Sequence, residues 1–286
     1  MKLGFNMLLY GATVTEEQFP LFPVLKRHGF ESIEVPLLVE QPNTDYIRLR
    51  SELDRLGLAR TTVTIATADA DPSSPDAAVR KMALERLRWA IQTSVKLGST
   101  ILCGPFHSAL GVFPASSPDD LVRADRLRWS ADTLREAAEI ASPYLTLAME
   151  ALNRFECWLI NTCDQAAELV TLVGHDGLRM MYDTFHANIE ERDPVAALEK
   201  VVGSVVHFHA SENDRGVPGH GHVPFANTFR VLRRADYDGF VTIEAFGQAL
   251  PDLAAATRIW RPLYRSPDDV SYLGALGLRS AWDDAV

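Results

Sequence analysis

The chain is predicted to fold as an α/β protein, a single (β/α)8 TIM barrel with a short C-terminal extension. Three observations predict it. Short apolar runs alternate with amphipathic helical stretches, the alternation repeats eight times, and no linker or low-complexity tract interrupts it. Alternating βα units imply a parallel sheet, and eight of them imply closure into a barrel. An open doubly wound sheet would want a glycine-rich fingerprint after the first strand. The segment Asn6-Met7-Leu8-Leu9-Tyr10-Gly11 does not supply one. A length of 286 residues suits one barrel with its loops. Residues 1–264 are therefore expected to form the catalytic barrel. Residues 265–286 fall outside the eight units, as an extension free to pack on the barrel or on a partner subunit.

The units run in order as follows. Leu3 to Leu8 reads as the first strand, and Thr15 to Lys26 as a helix with Thr15 at its N-cap and Gly29 just past its end. Ser32 to Pro36 is a short strand, followed by a helix from Asp45 to Leu56 closed by Gly57. The β-branched run Thr61 to Thr67 fits a strand. Asp76 to Leu97 carries apolar residues at helical spacing and stops at Gly98. Thr100 to Cys103 is a strand, and Asp119 to Ala141 a long helix behind Pro118. The second half repeats the scheme with strands at Leu145 to Met149, Leu178 to Tyr182, Val205 to Phe208 and Phe240 to Ile243. Their helices are Thr162 to Val173, Pro194 to Val202, Phe225 to Arg234 and Pro251 to Tyr264.

Composition narrows the class of function. Hydrophobic residues make up 47% and charged residues 23%, the balance of a globular domain with a large core. A net charge of −10 repels nucleic-acid phosphates and anionic lipid. Cys103, Cys157 and Cys163 are too few and too scattered for a disulfide framework, and no CxxC pair suggests structural zinc. No window reaches the roughly 18 apolar residues of a membrane helix, and the N-terminal run shows no cleavage signal. A cytoplasmic protein with buried or free thiols is expected.

In a barrel, chemistry sits at the C-terminal ends of the strands. The fifth strand ends in Glu150, the sixth in Asp183, the seventh in His209 and the eighth in Glu244. Any one of these could be a helix N-cap or a loop charge. Four in succession converge on one rim, where three carboxylates repel one another unless a cation sits among them. Three carboxylates and one imidazole suit Mn2+, Mg2+ or Co2+ better than structural zinc. Glu156 and Arg154 follow Glu150, His186 follows Asp183, and Arg215 follows His209. Singly these read as loop ions, a structural histidine and a surface arginine. As neighbours of a metal site they suit recognition of hydroxyl groups. Gly216, Gly219 and Gly221 let the last of these loops bend closely around a ligand. No GxxxxGK[ST] phosphate cradle occurs.

At these residues the sequence resembles the ketose 3-epimerases, the group that includes D-tagatose, D-allulose (psicose) and L-ribulose 3-epimerases within the xylose-isomerase-like barrel superfamily. The segments that carry the resemblance are MEALNRFE (149–156), YDTFHANIEE (182–191), HFHASENDRGVPGHGHV (207–223) and IEAFG (243–247), with a weaker match in GPFHSALG (104–111). The resemblance implies that Glu150, Asp183, His209 and Glu244 hold Mn2+, or Co2+ or Mg2+ in its place. It implies that Glu150 and Glu244 are also the catalytic acid–base pair. Glu156, His186 and Arg215 would bind the polar end of a free ketose around O1 to O3. Two bases on opposite faces of C3 give inversion, whereas one shuttling base gives aldose–ketose isomerisation. Family members carry aromatic residues after strands one and four, for which Phe5, Tyr10, Phe106 and Phe113 are the candidates here. A homodimer or homotetramer is implied as well.

Three rival readings remain open. Hydroxypyruvate isomerases, inosose dehydratases and C-glycoside-cleaving enzymes use barrel-mouth metals too. An endonuclease IV-like enzyme would need a histidine-rich zinc cluster and a basic face, which the acidic charge opposes. A barrel without a metal, serving only to bind or scaffold, would not need an intact ligand set.

Overall fold

The computed structural model describes residues 1–38 and 44–285. Eight parallel strands close into a barrel in sequence order: β1 (Lys2–Asn6), β2 (Ser32–Pro36), β3 (Ala59–Val63), β4 (Ile101–Gly104), β5 (Thr146–Met149), β6 (Leu178–Asp183), β7 (Val205–Ala210) and β8 (Phe240–Ile243). The seam pairs β1 with β8, from Lys2 opposite Phe240 to Phe5 opposite Ile243. Helices α1 (Leu21–Arg27), α2 (Tyr46–Leu56), α3 (Ala77–Leu97), α4 (Asp120–Ala141) and α5 (Cys163–Val173) lie outside, joined by α6 (Thr184–Glu190), α7 (Pro194–Val201), α8 (Phe225–Arg234), α9 (Pro251–Ala256) and α10 (Pro267–Asp283). None of the described helices is long and apolar enough to cross a membrane. All three cysteines are free and buried.

Strand alternation sorts side chains between two cores. Phe5 of β1 points outward to Phe30, and Phe208 of β7 outward to Tyr182 and Phe229. These belong to the large core between sheet and helices. Inside the barrel, Val63, Cys103, Ala148 and Met181 pack on one another. Beside them stand the buried polar side chains of Asn6, Glu34, Thr61, His207, His209 and Thr242. The interior is thus apolar along β4 to β6, mixed on β3, and polar across β7, β8, β1 and β2.

Several boundaries differ from the sequence expectation, each for a local reason. The first strand stops at Asn6, whose side chain accepts the Leu8 N–H at 2.9 Å and turns Met7–Leu9 into a single 3-10 turn. The expected helix from Thr15 is split. Thr15 and Gln18 form a capping box around the short turn Glu16–Gln18, and α1 begins only after Pro20. A continuous helix would have buried two prolines without N–H groups, Pro20 and Pro23, in its interior. The helix expected from Pro251 to Tyr264 ends at Ala256, followed by Arg258 in the left-handed region and by Pro262.

The eighth outer position goes instead to α10, in the segment 265–286. It packs against α8 and lies directly on β8: a Cβ on Gly274 would stand 3.0 Å from Ile243 Cδ1 and 3.1 Å from Pro218. Its other side reaches α1, where Ser271 Oγ lies 3.0 Å from His28 Nδ1 and Arg279 donates to the Gly29 carbonyl at 2.8 Å.

Candidate active site

Asp183 shows how the sequence positions a site residue. It ends β6 and caps α6 through one oxygen, leaving the other to face the barrel mouth. Oδ1 accepts the N–H groups of Phe185 and His186 at 2.6 and 3.2 Å. Oδ2 accepts from Ser211 Oγ at 2.9 Å and faces His209 Nδ1 at 3.6 Å. Glu150 leaves β5 with its N–H bound to the carbonyl of Gly104 at 3.0 Å. That glycine has φ +123°, and a Cβ there would collide with the carbonyl oxygen of Thr64. Glu244 leaves β8 beside the seam, where Asn6 Nδ2 donates to its Oε1 at 2.9 Å.

One ligand atom each from Glu150, Asp183, His209 and Glu244 lies within 4.8 Å of all the others, and all four residues are buried. Donors at about 2.1 Å from an octahedral ion stand about 3 Å apart when adjacent and about 4.2 Å when opposite. His209 Nδ1 is 3.5 Å from Glu244 Oε1, and both Nδ1 and Glu150 Oε1 have no hydrogen-bond partner. Two orphaned buried lone pairs facing carboxylate oxygens are what a cation between them would satisfy, so the donor set fits a divalent ion. The electrostatics agree. Burial, then the neighbouring Glu244 carboxylate, push Glu150 well above the usual carboxylate range. Burial acts the same way on Asp183, but Arg215 and His209 more than offset it and hold that carboxyl low.

Arg215 and His186 stand beside this cage. Arg215 is buried, sits in the left-handed region at φ 65°, and stacks between Phe185 and Phe246, with ring centroids 3.9 and 4.9 Å away. Its Nη1 donates to Glu244 Oε2 at 2.7 Å, and its Nη2 lies 2.9 Å from His186 Nε2. The Asn153 backbone N–H donates to His186 Nδ1 at 3.1 Å. Burial and Arg215 lower the pKa of His186, so the ring is neutral, and the network places its single proton on Nε2. Nε2–H and the guanidinium therefore converge, with Glu150 Oε1 3.6 Å from Nε2 as the nearby acceptor. A ligand oxygen beside the two donors would accept from both.

Glu156 lines the same cavity and accepts from Asn153 Nδ2 at 3.0 Å. Arg154 does not join it. That side chain is exposed and forked onto Glu190, with Nη2 to Oε2 at 2.9 Å. Of the glycines after β7, only Gly219 takes a positive φ, 88°.

The cavity holds about 600 Å³, counted out to its open mouth. Its far wall is aliphatic: Leu8, Leu38, Ile65, Pro105, Leu110 and Leu253. The aromatic candidates are elsewhere. Phe5 and Phe106 are buried in packing, Tyr10 rests against Phe5, and Phe113 is exposed. Phe246 is the ring that lines the cavity. Sequence reasoning missed Asn6, Glu34, Asn153 and Phe246. Asn153 and Phe246 lie within the quoted motifs, whereas Asn6 and Glu34 are single polar residues inside strands.

Comparison with known proteins agrees across the whole chain. A family model described as xylose isomerase-like TIM barrel matches residues 22–263. A ketose 3-epimerase of Arthrobacter globiformis is 32% identical over 94% of this chain and 93% of its own. A probable ketose 3-epimerase of Synechocystis is 28% identical over 99% of this chain and 97% of its own. Among solved structures, an L-ribulose 3-epimerase superposes with a TM-score of 0.90 at 29% identity, covering 100% of this chain and 97% of that one.

Proposed function

This chain belongs to the xylose isomerase-like TIM barrel family and is a sugar epimerase of its ketose 3-epimerase group, and from that premise we propose that it inverts C3 of free ketoses with a divalent metal ion. Mn2+ is the first choice of ion, with Co2+ or Mg2+ as alternatives. The substrates are pairs such as D-fructose and D-allulose, D-tagatose and D-sorbose, or L-ribulose and L-xylulose. The observation that carries the reading is the cage itself: Glu150 and Glu244 share four mutually close donors with Asp183 and His209. Of the solved relatives, one was crystallised with D-allulose and another with D-tagatose.

In this scheme Glu150, Asp183, His209 and Glu244 hold the ion. When bound, the ion supplies Lewis-acid stabilisation of the negative charge that develops on the substrate oxygens as the C3 proton leaves. One glutamate takes the C3 proton as general base, and the other returns a proton to the opposite face. Burial and Glu244 raise the Glu150 carboxyl in the metal-free chain, and ligation to the ion would lower it, so exclusion of water must help tune the base. The converging donors of His186 and Arg215 receive a ketose oxygen, and Glu156 accepts from a neighbouring hydroxyl. The aliphatic wall covers the far carbons and keeps water off the reacting end.

Residues 1–264 with the last helix then act as one catalytic unit in the cytoplasm. A homodimer or homotetramer fits the exposed Phe113 and Phe155 close to the mouth. The deciding experiment is a chromatographic product assay on metal-stripped protein restored with Mn2+ and given D-fructose, D-tagatose or L-ribulose. Metal-dependent appearance of the matching 3-epimers is expected. Aldose products alone, or no conversion, would point to another chemistry of the same barrel, such as hydroxypyruvate isomerisation.

A further inference from the structure

Below the cage, inside the barrel, lies a second cluster: Glu34 of β2, Cys103 of β4, and His207 and His209 of β7. Glu34 is wholly buried, and its ion-pair partners among the described residues are the two histidines. Its two oxygens have separate tasks. Oε2 is crowded: Thr61 Oγ1 donates to it at 2.8 Å, Cys103 Sγ at 3.2 Å, and His207 Nε2 lies 2.7 Å away. Oε1 faces His209 Nε2 at 2.7 Å. With two hydrogen bonds on Oε2 and His207 packed against it, the carboxylate cannot rotate without breaking them, so Oε1 stays on His209.

A carboxylate at 2.7 Å holds a proton on Nε2, so when the ring gives up its second proton to bind an ion, the free lone pair lies on Nδ1. Nδ1 is the atom without a hydrogen-bond partner, 3.5 Å from Glu244 Oε1 and 3.6 Å from Asp183 Oδ2. Metal-ligating histidines are oriented in this way through the ring nitrogen that does not touch the ion. We propose that Glu34 is a positioning residue of the metal centre: it holds His209 in its Nε2–H form and so keeps the Nδ1 lone pair aimed at the ion. The inference rests on the metal-dependent reading above. It also gives strands that bear no ligands a task, since Glu34 stands on β2 and its hydrogen-bonding anchors Thr61 and Cys103 on β3 and β4.

The test compares Mn2+ dissociation constants by calorimetry for the wild-type chain, Glu34→Gln and Thr61→Val, together with the melting temperature of each metal-free protein. The amide introduced by Glu34→Gln can donate to Nε2 and so favour the wrong tautomer. Glu34→Gln is expected to weaken Mn2+ binding about 10- to 100-fold. Thr61→Val removes an anchor from Oε2 and leaves Oε1 on His209, so its binding should stay within about threefold of wild type even where its melting temperature falls. Losses of affinity that simply follow melting temperature in both variants would overturn the proposal.

Should Glu34→Gln not fold, the wild type decides. In the Mg2+-loaded protein, 15N-histidine spectra should show His209 protonated on Nε2 alone, and a proton on Nδ1 would sink the idea. Wild-type binding matched by folded Glu34→Gln overturns this inference alone, whereas a wild type that binds no Mn2+ overturns the metal reading as well. Two ions per chain, the second held at Glu34, Cys103 and His207, would also overturn it.

Discussion

The two halves of the barrel divide the work unequally. Strands β5 to β8 each end in one of the caged residues, and the loops behind them carry Glu156, His186 and Arg215. Strands β1 to β4 place none of these groups. They supply Asn6 against Glu244, Glu34 against His209, and most of the aliphatic wall opposite the cage. The contrast teaches that the first half is not merely a scaffold. Its few inward polar side chains hold the second half's reactive groups at fixed angles, and its apolar residues shape what can lie against them. A buried carboxylate with a fixed hydrogen-bond donor keeps one orientation, whereas one without it samples several.

Breaking the second half should have the largest effect. Glu244→Gln is expected to lower kcat for C3 epimerisation by about 10³-fold or more, because a general acid–base group and a charged ligand are lost together. An active Glu244→Gln enzyme would remove the two-base scheme. Next comes Asn6→Ala, which takes the donor from Glu244. A lost hydrogen bond to a buried charge costs about 1.5–3 kcal/mol, so kcat/KM should fall about 10- to 100-fold. Unchanged kinetics would show that the first half does not steer the second.

A smaller effect concerns protons. Burial and Glu244 raise the Glu150 carboxyl, so a cation entering the site competes with a proton there more than at an ordinary carboxylate. Loading Mn2+ near neutral pH should release protons into a weak buffer, and affinity should rise with pH. Affinity independent of pH would contradict the raised pKa. The smallest effect is expected from Arg154→Ala. The Arg154 side chain is exposed, forked onto Glu190, and does not line the cavity, so steady-state assays should find kcat and KM within about twofold of wild type.

Much of this was legible in the sequence. Eight apolar runs with a polar residue at the end of the last four reveal both the barrel and the rim on which Glu150, Asp183, His209 and Glu244 meet. Each lies at or just past the C-terminal end of its strand, where chain order and space coincide. Less was legible where two distant segments had to be brought together. Glu34 and Asn6 look like ordinary strand residues until register shows what lies opposite them, 175 and 238 positions along the chain. The far wall was misjudged because aromatic residues near strand ends were weighed by type. Packing instead turned Phe5 outward to Phe30 and gave the wall to Leu8, which the turn after Asn6 swings to the mouth. The last helix was misplaced because Pro251 to Tyr264 has helical spacing, but Pro262 cannot continue it.

The contact between Asn6 and Glu244 crosses the seam where β1 meets β8. Contacts so remote along the chain form late in folding, since a long loop must close first. A species with β5 to β7 assembled and the seam still open could gather three of the four cage residues. It would lack the residue whose orientation depends on closure. Recovered turnover in a refolding experiment should therefore lag behind recovered secondary structure, making catalysis a late reporter of a completed fold.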